Sequence, residues 1–197
     1  MSVIDLRAQT SFNYSVNYLI RDQWRQSLQL GCDKIIYLHF NMPITLHNLV
    51  LLGAKLILFK LPHCTCETQS TQNAEDICNQ YVLYPLSEIF NVYGCTNIFP
   101  AVSQERCISF ETSYHCNYTE IDITQIVQDW SSDTIENNGI MLMGKDHAAK
   151  IYYASSQHRI PELRPMLRLI CKNMKRFHTL RTVACDVEVS RPTSDAN

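Results

Sequence analysis

Tyr118-Thr119-Glu120-Ile121-Asp122-Ile123-Thr124-Gln125-Ile126-Val127-Gln128-Asp129-Trp130 is the stretch on which the reading of the fold turns. Ile121 and Ile123 alternate with Glu120 and Asp122, the period of two that marks a half-buried strand. The period then changes. Asp122 followed by Gln125 has the spacing of a helix N-cap and its reciprocal partner, and Ile126, Val127 and Trp130 fall on one helical face. The segment predicts a strand that leads into one or two helical turns, with Trp130 folded against a sheet.

Outward from this unit the chain reads as more short strands. Residues 33–40 alternate, with Ile36, Leu38 and Phe40 on one face and Ile35, Tyr37 and His39 on the other, and Pro43 closes the run. Residues 53–60 form a second such run, ending at Pro62, and the short connection predicts neighbouring antiparallel strands. Residues 81–90 read as a strand into Pro85 followed by a short helical turn, and residues 107–111 as another strand. The polar stretch 64–80 lacks apolar periodicity and reads as a surface loop. Asn137-Asn138-Gly139 signals a turn, after which residues 140–143, 151–154 and 166–171 alternate or run apolar again. Many short strands with turn chemistry between them indicate an all-β protein, a single jelly-roll-like antiparallel β-sandwich with one or two short helical turns.

Composition narrows the function classes. The chain has 197 residues, 46% hydrophobic and 18% charged, enough for one well-buried domain. Its formal net charge of -2, from 17 Lys+Arg against 19 Asp+Glu, does not suit a protein held on nucleic acid by phosphate neutralisation. The longest apolar run, residues 49–61, is interrupted by Gly53, Lys55 and Lys60 and falls short of the ~18 residues that span a bilayer. Neither nucleic acid nor membrane is expected as a partner. The basic run 172–181 reads as an edge strand kept soluble by Lys and Arg.

The 9 cysteines stand at positions 32, 64, 66, 78, 95, 107, 116, 171 and 185. The first residues lack the basic and then apolar pattern of a secretory signal, so synthesis in the cytoplasm, where thiols stay reduced, is expected. An odd count leaves at least one thiol without a partner in the chain. Reduced core thiols, cross-links between subunits and metal ligands are the three chemistries open to them. His63, Cys64, Cys66 and Cys78 could offer four zinc ligands, but C-x-C is not the usual C-x₂-C spacing and no second pair exists. No metal or cofactor is expected.

An enzyme is not expected either. No nucleophile elbow or family-type Cys signature is present, and Asp146-His147 reads as a turn between strands. Trp24, within Arg21-Asp22-Gln23-Trp24-Arg25, has a polar setting that suggests exposure. Trp24, Arg21 and Arg25 are therefore the ligand-binding candidates, a ring for sugar stacking with cationic neighbours. Tyr81, Tyr84, Tyr93 and Tyr114 are weaker candidates, since large aromatics contribute most in a sandwich core. Asn13-Tyr14-Ser15 and Asn117-Tyr118-Thr119 match the N-glycosylation sequon, here read as chance.

Taken together, several strands resemble the DNRLRE-domain family of bacterial β-sandwich modules, which is akin to some polysaccharide-binding modules. Residues 35–43 look like its aliphatic strand ending in proline, residues 53–58 like its second strand, and residues 121–130 like its strand-to-helix unit ending in Asp-Trp. Residues 138–142, 153–156 and 165–169 follow in the family's order. The resemblance spans roughly residues 15 to 171 and implies a β-sandwich with attachment to carbohydrate.

Three segments are expected: an N-terminal arm (1–16), a DNRLRE-like sandwich (17–171) and a C-terminal extension (172–197). The expected function is a non-catalytic structural subunit of a bacterial surface or spore-associated assembly. Strand addition by either arm would build a homo-oligomer or fibre. Disulfides at Cys32, Cys64, Cys66, Cys78, Cys171 and Cys185 are the expected locks. A carbohydrate-binding module with a polysaccharide partner is the alternative.

Overall fold

The computed structural model describes residues 1–15, 21–22, 25–31, 33–43, 46, 49–62, 80–89, 100–113, 115–145 and 148–173. A four-stranded sheet has the order β1 (Ser2–Arg7), β12 (Met166–Asn173), β6 (Leu49–Phe59), β9 (Tyr118–Asp122). A six-stranded sheet has the order β3 (Arg21–Asp22), β2 (Thr10–Ser15), β5 (Lys34–His39), β10 (Ile140–Gly144), β7 (Gln80–Pro85), β8 (Ile108–Glu111). The short pair β4 (Ser27–Leu30) and β11 (Ile151–Ala154) forms a third ladder. All these pairings are antiparallel.

One apolar cluster fills the space between the large sheets. Leu56 and Leu58 of β6 and Leu167 and Leu169 of β12 join Ile36, Leu38, Leu83 and Leu142 of the opposite sheet, all buried. The protein is an all-β, sandwich-like fold with α1 (Thr124–Ser131) as its one α-helix among the described residues. The spacing of residues 33–40 and 53–60 predicts adjacent strands, yet β5 and β6 lie in opposite sheets. Each carries an apolar face toward the same core, so the connection between them crosses the sandwich.

The expected N-terminal arm is instead part of both sheets. Ser2 to Arg7 pair with Cys171 to Met166, and Thr10 to Ser15 pair with His39 to Lys34. The crossing lies at Ala8 and Gln9, whose N–H groups donate to Pro165 and His39 carbonyls at 2.9 Å. Burying Phe12, which is only 1% exposed, favours pairing within the chain over a loose arm. At the other end, β12 runs past the expected boundary at 172: Lys172 pairs with Val50 and Asn173 with Leu49. β12 lies between β1 and β6 only as far as Cys171, and Lys172 and Asn173 pair with β6 alone; residues 174–197 lie outside the described residues.

The strand-to-helix unit forms where predicted, but Ile123 and not Asp122 is the N-cap residue, and it makes no side-chain capping bond. The Asp122 carboxylate accepts from the Thr124 N–H at 2.9 Å and from the Thr124 hydroxyl at 2.6 Å. Thr124 Oγ1 in turn accepts the Ala54 N–H of β6 at 2.9 Å, which ties the helix start to the sheet. Gln125 reaches forward to Asp129 at 2.9 Å instead of back to the cap. Ile126, Val127 and Trp130 are buried, as the helical face requires. After β7 no helical turn forms over the described residues 86–89. Leu86 bridges Val102, and Ser87 N–H donates to Ala101, so the chain extends as a ladder.

Candidate functional site

Most of the expected site residues fall where nothing can be said of them. Cys32, Cys64, Cys66, Cys78, Cys185, His63 and Trp24 lie outside the described residues, and only the backbone of Arg21 is described. Arg25 is exposed. Cys171 is a correction: its side chain is fully buried in β12, within the core cluster. Burial raises its thiol above the ordinary value, so it is an apolar core residue and not a surface cross-linker.

Asn13 is also taken by the fold. Its amide nitrogen donates to Gln29 O at 2.6 Å and Ile35 O at 3.1 Å, and its oxygen accepts the Gln29 N–H at 2.7 Å. A buried side chain so committed stands in for a missing strand pair and leaves no nitrogen for a glycan. Asn117, in the other sequon, is exposed.

The six-stranded sheet carries a second apolar cluster on its outer face. Phe12, Tyr37, Met141 and Tyr84 stand directly opposite one another on β2, β5, β10 and β7. Phe12 and Tyr37 stack with ring centroids 4.7 Å apart. Such a row could form a sugar platform if it were open. It is closed: Phe12, Tyr37 and Met141 are buried, Leu86 and Val102 pack against the cluster, and the Tyr37 hydroxyl donates to Asn138 O at 3.2 Å. The space left beside Pro100 is about 10 Å³, on the order of one water and far below a sugar ring.

Two exposed free thiols, Cys107 and Cys116, occupy a distinct place in the topology. Cys107 immediately precedes β8, the terminal strand of the six-stranded sheet, and Cys116 shortly precedes β9, the terminal strand of the four-stranded sheet. Among the described residues neither β8 nor β9 has a partner on its outer side. The turn before Cys107 is fixed to the helix, because Arg106 Nε donates to Asp129 Oδ2 at 2.7 Å. That hydrogen bond, more than any other cause, holds the Asp129 carboxyl below its ordinary value. Cys116 is held by its own N–H, which donates to Ser113 O at 3.4 Å, and by Lys60 N–H, which donates to Asn117 O at 2.9 Å.

β9 itself is acidic on its open face. Glu120 meets Lys55 of β6 at 2.5 Å, and Asp122 lies in the same row as Lys55, Arg168 and Asp5. Arg168 binds Asp5 through two nitrogens, at 2.8 and 2.9 Å. Sequence reasoning did not single out Cys107 and Cys116, since nothing in the spacing of cysteines says which strand ends a sheet. The usable signal was local: each of these cysteines sits among polar residues just before a short alternating strand.

No known protein-family model matches the chain, and no curated protein is similar to it. The likeness to DNRLRE domains therefore rests on the quoted motifs alone.

Proposed function

We propose that this chain is a non-catalytic structural subunit of a surface or extracellular assembly, of the kind found on bacterial cells or spores, joined edge to edge and locked by disulfides. The carrying observation is the placement of an exposed thiol beside each of two sheet edges that are open among the described residues, at Cys107 and Cys116. A second copy adding its edge strand would satisfy backbone groups that have no strand partner among the described residues, and would bring another chain's thiol within reach. An apolar patch supports contact between copies. Val3, Val50 and Leu52 are 58%, 43% and 50% exposed, and all lie toward one end of the outer face of the four-stranded sheet.

The sugar-binding alternative draws nothing from the aromatic row, which is filled and covered, and its other candidate, Trp24, lies outside the described residues. Mild oxidation of the dilute full chain, followed by non-reducing electrophoresis and electron microscopy, tests the proposal. The expected result is a ladder of multiples that collapses with reductant and disappears in the Cys107→Ser/Cys116→Ser double variant. A monomer that keeps its thiols, or a ladder unchanged in the double variant, overturns it.

A further inference from the structure

Beside the β9 edge lies a cleft of about 400 Å³, within the range that holds small ligands. Its walls come from the end of β6, the turn before β9 and the start of β11. Lys60, Lys150, Asn117, Tyr152 and Cys116 line it, and among the described residues no carboxylate does. Lys60 is partly buried and its ammonium donates to Ser113 O, within the turn that carries Cys116. Burial holds the Lys60 ammonium below the usual lysine value. Lys150 is exposed, with its aliphatic stem against Gly31.

Three features combine here: a concavity of ligand size, two cations with no acid among the described lining residues, and an exposed free thiol on its wall. Clefts lined by one sign of charge raise the local concentration of oppositely charged solutes. Cys107, also exposed and free, is not among the described residues that line this cleft.

We propose that the Lys60–Lys150 cleft binds small anionic disulfides and delivers them to Cys116, making this residue a site of mixed-disulfide formation. In the reaction the Cys116 thiol loses its proton to solvent and the thiolate attacks one sulfur of the bound disulfide. The new bond joins Cys116 to that sulfur, the old S–S bond breaks, and the second half leaves as an anionic thiolate. The incoming disulfide is the oxidant, so no other is required. The reaction does not depend on whether copies of the chain join.

The test uses the reduced full chain at low ionic strength, with limiting 5,5′-dithiobis(2-nitrobenzoate), a dianionic disulfide, and 4,4′-dithiodipyridine, a neutral one. Mass spectrometry of the peptides reads initial modification rates at Cys116 and Cys107 separately. The preference for the anionic reagent should be about tenfold greater at Cys116 than at Cys107, the lower end of what charged clefts achieve. It should fall severalfold in Lys150→Gln, an exposed substitution that leaves the fold intact, and with added salt. Lys60→Gln should lower it further. Equal preferences at the two thiols, or a preference unmoved by salt and by Lys150→Gln, would overturn the proposal.

Discussion

Asn13 shows how one side chain can complete a sheet. Its amide makes three hydrogen bonds to the backbone of β4 and β5, where strand pairing alone would leave Gln29 unsatisfied. Asn13→Ala should cost about 2–3 kcal/mol, because buried backbone groups lose partners that water cannot replace. Urea denaturation measures this. Gly139 is a second such position. It sits at φ +95°, and an added Cβ would lie 2.8 Å from both Leu38 O and the Tyr37 ring. Gly139→Ala should destabilise by at least about 2 kcal/mol, read as a lowered unfolding midpoint, since both backbone strain and a clash act together. Among the cysteines the contrast is with burial. Cys171→Ser places a hydroxyl in an apolar core and should lower stability by about 1–2 kcal/mol, whereas Cys107→Ser and Cys116→Ser should stay within about 0.5 kcal/mol.

At the scale of elements, the helix acts as a clamp between the two sheets. Trp130 seats it on the core, Thr124 ties its start to β6, and Asp129 ties its side to the turn before β8. The Asp129 carboxyl lies below its ordinary value, first through Arg106 and also through Gln125; Asp122 does so through Thr124 and Asp5 through Arg168. A carboxyl depressed in the folded state stabilises fully above its unfolded value, about 3.9, and that stability is lost as pH falls through the folded value. The folded state should therefore weaken progressively below about pH 4. Asp129→Asn should lower stability near neutrality and flatten this acid-side loss, as followed by circular dichroism across a pH series. An unchanged acid slope would show that the Arg106 contact contributes nothing.

At the scale of the whole molecule, valence is the quantity that matters. Two thiols beside two different sheet edges allow a chain to extend in two directions, and one thiol allows only pairs. Under the proposed assembly, Cys107→Ser alone or Cys116→Ser alone should therefore stop the oxidised ladder at dimers, while the parent chain continues to longer multiples. Mass photometry of oxidised samples distinguishes the two outcomes.

Local periodicity alone determined the strands around Ile36, Leu142 and Leu167, the strand-to-helix unit ending in Trp130, and the all-β class. These follow from alternation and capping between near neighbours in the chain, which one sequence displays. Only the tertiary structure decided that β5 and β6 face each other across the core, and that Ser2–Arg7 and Thr10–Ser15 are paired within the sheets. It also decided that Cys171 is buried while Cys107 and Cys116 flank open edges. Ser2 meets Cys171 across 169 residues of sequence, and Asn13 meets Gln29 through a side chain that replaces a strand. Such contacts depend on which edge a strand joins. That choice is made by burial of all the apolar faces at once, a cooperative outcome that spacing between cysteines or aromatics does not encode.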